Sequence, residues 1–159
     1  MMRKLFCFCA LILIPGLPAL QAADDDIAVI VNKGNPVENL SKVQLKKLLL
    51  GEQTSWPGGK RVNVILRAPG QAEREGVLRS VCTMSEDDFN QHLMHANFGG
   101  DTGGAPKALG SALAVRQLVM TLPGAVGFVR LADVTDAVRV VTVDGIAAGQ
   151  PGYKIKAGK

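Results

Sequence analysis

Residues 62–74 read Val62-Asn63-Val64-Ile65-Leu66-Arg67-Ala68-Pro69-Gly70-Gln71-Ala72-Glu73-Arg74. An apolar run ending on arginine, a Pro-Gly pair and a charged continuation predict a strand, a turn and a helix in that order. Upstream, Asn35-Pro36, a short helix ending Leu48-Leu49-Leu50-Gly51 and the Trp56-Pro57-Gly58-Gly59 loop predict strand, helix and loop before that strand. A junction of strand, glycine turn and helix is where α/β proteins hold anions. Free backbone N–H groups and the positive end of the helix dipole both point there. Arg67 and Arg74 flank it, and guanidinium forks match oxyanion geometry. Arg67, Gly70, Gln71, Ala72 and Arg74 are therefore the candidate ligand-binding set. The competing reading is that Arg74 and Glu75 only make ion pairs.

The N-terminal end carries a different message. Arg3 and Lys4 form a positive start, residues 5–14 an apolar stretch, and Pro15 and Pro18 break it before Ala22 and Ala23. This is the pattern of a secretory signal over residues 1–23, too short and interrupted for a membrane span. Cleavage near Ala22 or Ala23 predicts an exported, periplasmic mature chain of about 136 residues with no membrane span, which suits one domain. The full-chain charge of +4 falls to 4 − 2 = +2 without Arg3 and Lys4, which excludes a nucleic-acid footprint. Cys82 is then the sole cysteine, so no intrachain disulfide is expected, and it reads as a small buried residue at a helix end.

The alternation of elements sets the fold class. Residues 27–32, 62–67, 125–130 and 138–143 are apolar runs suited to about four strands. Ser41 with Gln44 forms a capping box ahead of Leu45, Leu48 and Leu49, and Gly51 supplies the stop. Residues 72–82 are predicted helical with Val77, Leu78 and Val81 on one side. Ser85 with Asp88 caps the next helix, in which Phe89 and Leu93 face inward. Ser111 caps a helix with Val115, Leu118, Val119 and Leu122 at helical spacing. These elements predict an α/β domain over residues 24–146, a mixed, mostly parallel sheet covered by helices on both faces. The glycine- and lysine-rich residues 147–159 predict a flexible tail.

In their order and spacing these residues resemble one lobe of the phosphate-binding proteins of ABC transporters, the type 2 periplasmic solute-binding proteins. The resemblance rests on residues 27–32, Asn35-Pro36-Val37, residues 45–51, Trp56-Pro57 and Pro123-Gly124-Ala125-Val126-Gly127-Phe128-Val129. The last is similar to the family's Pro-Gly-Ala-Ile-Gly-Tyr-Val. The resemblance runs from Ile27 to Asp144 and is closest to short exported proteins with an Arg-Glu pair opening the second helix. It implies a single lobe of that fold, and phosphate or a similar oxyanion as ligand. The family's Ser-Gly-Thr-Arg turn falls on Gln71, Ala72, Glu73 and Arg74, of which Arg74 alone matches. Gly70 corresponds to an earlier glycine of the same turn, and Arg67 to an arginine often found at the strand end. Glu73 has two orientations open to it: pointed inward, a carboxylate at 4 Å repels an anion by about 4 kcal/mol at an effective dielectric of 20, whereas turned away, to cap its own helix or pair with Arg67 or Lys60, it leaves the N–H groups and Arg74 to a ligand.

Three further constellations stand beside that site. The Gly99-Gly100-Asp101-Thr102-Gly103-Gly104 run reads either as a second phosphate-cradling loop, with Thr102 as donor and Lys107 as counter-charge, or as a plain connection. His92 and His95 lie three apart, a spacing that can put both on one helix face with Asp88 as the available third metal ligand, but without a His-Glu-x-x-His arrangement they read first as two surface histidines. No nucleophile-and-base arrangement can be picked out, so neither an enzyme nor a cofactor is expected. Two functions follow: a weak oxyanion binder, or an interaction module that has lost its ligand and docks an envelope protein or a second copy of itself.

Overall fold

The structure is a computed structural model that describes residues 25–98 and 104–158. In chain order it places β1 (Ile27–Val31), β2 (Asn39–Leu40), α1 (Lys42–Leu49), β3 (Asn63–Arg67) and α2 (Ala72–Val77). A π-helical turn (Leu78–Cys82) continues α2. Then come α3 (Glu86–Phe98), β4 (Lys107–Leu109), α4 (Ala112–Thr121), β5 (Ala125–Arg130), a 3-10 turn (Leu131–Asp133) and β6 (Arg139–Val143). The six strands form one sheet in the order β2-β6-β1-β5-β3-β4. Pairings β2–β6, β3–β4 and β3–β5 are parallel, and β1 runs antiparallel to both β5 and β6. The sheet is mixed and mostly parallel, as the sequence predicts.

β1 is buried along its whole length, so its alternate side chains feed two cores. Ile27, Val29 and Val31 meet Leu45, Leu49, Leu78 and Phe89 on one face. Ala28 and Ile30 meet Val115 and Val119 of α4 on the other. A Cβ on Gly127 would lie 2.8 Å from Val119 Cγ2 and 2.9 Å from Val115 Cγ1, so the bare glycine lets α4 press onto the sheet.

The predicted caps are present. Ser41 Oγ accepts from Gln44 N at 3.1 Å while Gln44 Oε1 accepts from Ser41 N at 2.8 Å. Ser111 Oγ accepts from Ala114 N at 3.1 Å. At α3, Asp88 N donates to Ser85 Oγ at 3.1 Å, and the Ser85 hydroxyl and N–H hold the Asp88 carboxyl below its ordinary pKa. Trp56 is buried and its Nε1 donates to Gly124 O at 2.9 Å, which pins the Trp-Pro loop beside the start of β5. Cys82 is buried at the end of the π-helical turn, and burial pushes its thiol up to about 11 against a smaller opposing pull from Lys46.

Two expectations are corrected. The sheet has six strands rather than about four, because β2 and β4 pair along only two and three residues. Residues 147–158 are not a flexible tail. Tyr153 and Ile155 are buried, Tyr153 Oη donates to Ile27 O at 2.6 Å, and Ile27 N donates to Ile155 O at 2.9 Å. Burial, with the nearby Asp26 charge adding to it, pushes the Tyr153 phenol above its ordinary pKa. Two apolar side chains two residues apart suffice to anchor the segment along β1. Residues 1–23, read as a secretory signal, lie outside the described residues, as does Lys159.

Candidate functional site

The candidate site is built on the junction of β3 and α2. Gln71 N donates to Ala68 O at 3.2 Å, closing a β-turn with Pro69 and Gly70 at its centre. Gly70 has φ +79, the left-handed conformation that the third position of a Pro-Gly turn requires. A Cβ there would meet nothing within 4 Å, so this glycine serves the turn and not a crowded cradle. Ala68 N donates to Leu109 O at 2.9 Å, tying the turn to β4.

Arg67 and Arg74 are brought together, but inside the protein. Arg67 is 9% exposed and Arg74 is 5% exposed. Arg74 Nε and Nη2 grip Glu86 Oε2 and Oε1 at 2.8 and 2.7 Å, a forked, charge-assisted pair. Its Nη1 donates to Arg67 O at 3.4 Å, and its guanidinium lies 5.5 Å from the Phe89 ring centroid. Arg67 Nη2 donates to Gln71 Oε1 at 2.9 Å.

Glu73 points inward. Its carboxylate sits 3.7 Å from Arg67 Nε and 3.5 Å from Arg130 Nε, and Arg130 Nη1 reaches Asp25 Oδ1 at 3.2 Å. The Arg67–Glu73 distance is too long for a hydrogen bond. Arg67 Nε and Nη1 are accordingly buried without a hydrogen-bond acceptor. A buried donor left unmatched costs about 1–3 kcal/mol, and more when it is charged. Arg67, Arg74 and Arg130 thus face Asp25, Glu73 and Glu86, and the cluster is electrically balanced.

Of the six residues the sequence nominates, Arg67, Gln71 and Arg74 form one hydrogen-bonded group, Gly70 is exposed at its edge, and Ala72 opens the helix half-buried. Thr102 lies outside the described residues. Sequence reasoning missed Glu86, Arg130 and Asp25. Glu86 follows the capping serine of α3, and Arg130 ends the apolar run of β5; a lone charge closing such a run was the available signal. His92 Nε2 lies 3.4 Å from Leu50 O and His95 is exposed. Among the described residues no group of three His, Cys, Asp or Glu side chains could hold a metal. No helix among them is long and apolar enough to cross a membrane.

A mixed sheet with β1 antiparallel between β5 and β6, and helices on both faces, is the α/β lobe of the periplasmic solute-binding type. Three solved structures share this fold. An ABC-type phosphate transport receptor from Vibrio cholerae matches with a TM-score of 0.64 at 21% identity, over 78% of this chain and 48% of that one. A putative phosphate ABC transporter substrate-binding protein from Clostridium perfringens, with bound phosphate, matches at 0.64 and 26% identity, over 78% and 47%. PstS from Borrelia burgdorferi matches at 0.65 and 15% identity, over 84% and 55%. The chain spans about half the length of these structures. No protein-family model matches the sequence.

Proposed function

We propose that this protein is an exported solute-binding-like lobe, not an enzyme, that holds phosphate or a similar oxyanion weakly at the turn running from Ala68 into α2. One observation carries the reading. Arg67 stands beside that turn with two buried nitrogens that no protein oxygen satisfies, and an oxyanion supplies the missing acceptor. The likeness to phosphate receptors, one of them 26% identical and solved with phosphate, supports the ligand class. The balanced charge of the cluster explains why binding is weak. The N-terminal pattern of residues 1–23 supports export of the mature chain to the periplasm.

Calorimetric titration of the mature protein with phosphate and with sulfate is the test. A dissociation constant in the millimolar range, worth about 4 kcal/mol, is expected. Glu73→Gln removes the carboxylate that faces Arg67 from the first turn of α2 and should tighten binding about tenfold or more. No saturable heat from either anion below about 10 mM, in the wild type and in Glu73→Gln alike, rejects the proposal.

A second reading draws on the Arg74–Glu86 pair. The arginine that matches the family turn is fully committed to an internal carboxylate, as expected of a lobe that has given up its ligand. Such a lobe would serve as an interaction module for an envelope protein or a second copy of itself. Sedimentation at tens of micromolar should then show a dimer, or an envelope extract should yield a stoichiometric complex. A strict monomer that captures nothing rejects it.

A further inference from the structure

A cavity lies away from the oxyanion turn, where the start of α1, the end of β6, the π-helical turn and the C-terminal segment meet. Its volume is about 120 Å³, and none of Arg67, Gly70, Gln71, Ala72 or Arg74 lines it. Its apolar lining comes from Val143, Ile146, Tyr153 and Ile155. Lys42 and Lys154 also line it, and neither has an acid partner among the described residues. Asp144 is the acidic lining residue, and its Oδ1 already accepts from Lys42 N at 3.0 Å. The lining therefore carries a net positive charge.

The walls are held before any ligand arrives. Asp144 and Gly145, with φ +51 and +79, form the two-residue turn between Val143 and Ile146, whose N–H and C=O groups exchange bonds at 2.9 and 3.0 Å. Tyr153 is fixed through Ile27 O, and Ile155 pairs with β1. Preformed walls spare a ligand the cost of ordering them.

We propose that this cavity binds a small amphipathic carboxylate, its short alkyl end on Val143, Ile146 and Ile155 and its carboxylate turned to Lys42 and Lys154. Inorganic phosphate would leave the apolar wall without a partner, and a plain hydrocarbon would leave the two ammonium groups unused. The size limits the ligand. An apolar cavity of about 150 Å³ accepts benzene, so 120 Å³ takes about five or six heavy atoms.

The probe is 2-methylpropanoate, followed by methyl NMR of the mature protein, with 2-methylpropanamide as its uncharged counterpart. The acid should shift the Val143, Ile146 and Ile155 methyl signals saturably, with a midpoint of a few millimolar. The amide should bind about fivefold more weakly, the size of effect that two solvent-touched ion pairs provide. The double variant Lys42→Gln/Lys154→Gln should erase the difference between acid and amide while melting like wild type. Shifts that fail to saturate below about 50 mM overturn the proposal, and so does an amide that binds as tightly as the acid. Because the oxyanion residues lie elsewhere, either result leaves the phosphate titration untouched.

Discussion

Glu86→Ala should cost the protein about 3–5 kcal/mol, the largest loss expected from any single charge removal here. Arg74 is 5% exposed and gives two short hydrogen bonds to Glu86. Without the carboxylate a guanidinium remains in the interior with the Phe89 ring and a 3.4 Å contact to Arg67 O as its surroundings. Neither replaces a counter-charge. Thermal unfolding should fall by about 10 °C or more, since 1 kcal/mol moves a domain of this size by about 3–5 °C. The double variant Arg74→Met/Glu86→Met keeps an apolar stem over Phe89 and removes both charges, and should recover most of the loss. A Glu86→Ala protein within about 0.5 kcal/mol of wild type would mean that Arg74 has another acceptor. The same variant bears on function. With Glu86 gone Arg74 is free for an anion, so millimolar phosphate should raise the melting temperature of Glu86→Ala more than that of wild type.

Local chemistry was legible in the sequence, and chain-distant pairing was not. The apolar run of β1, the capping box of Ser41 and Gln44, and the Pro-Gly turn into α2 each state their conformation within a few residues. β2 and β4 have no such signal. They are too short for a period to emerge, and Lys107 and Ala108 stay exposed at the sheet edge. The C-terminal segment was obscured by its composition. Tyr153 and Ile155 alternate as a strand would, but the glycines and lysines around them outweigh two residues.

The site divides in the same way. Arg67, Gln71 and Arg74 are close in sequence and meet in space. What those arginines are for depends on Glu86, twelve residues past Arg74, and on Arg130 and Asp25, which the sheet brings in from far along the chain. The orientation of Glu73 is set there. Arg130, at the end of β5, draws it inward from the far side while Arg67 faces it from β3. The helix sequence alone contains neither neighbour.

Gly76→Ala should destabilise the protein by about 2–3 kcal/mol, against the sign that helix propensity predicts. On an open helix surface the change would gain up to about 1 kcal/mol. Here an added Cβ would lie 2.0 Å from Lys156 O, 2.8 Å from Ala157 Cα and 2.9 Å from Ile27 Cδ1. Two of those atoms are backbone, and that backbone has little freedom to withdraw. Ala157 N donates to Asp25 O at 2.8 Å, Gly158 N to Ala72 O at 2.6 Å, and Lys156 pairs with the buried Asp26. The methyl group must therefore displace the C-terminal segment or tilt α2. Melting should drop by about 10 °C, and the Ala157 and Gly158 amides should lose hydrogen-exchange protection before the β1 amides do. A chain ending at Ile155 keeps the buried Tyr153 and Ile155 but lacks the carbonyl that the methyl would strike. In that background Gly76→Ala should cost less than about 1 kcal/mol, and the difference between the two backgrounds measures the contact itself. A Gly76→Ala protein that melts at or above wild type would mean that the C-terminal segment does not hold α2. The turn at Ala68 to Gln71 would then owe its placement to β3 and β4 alone.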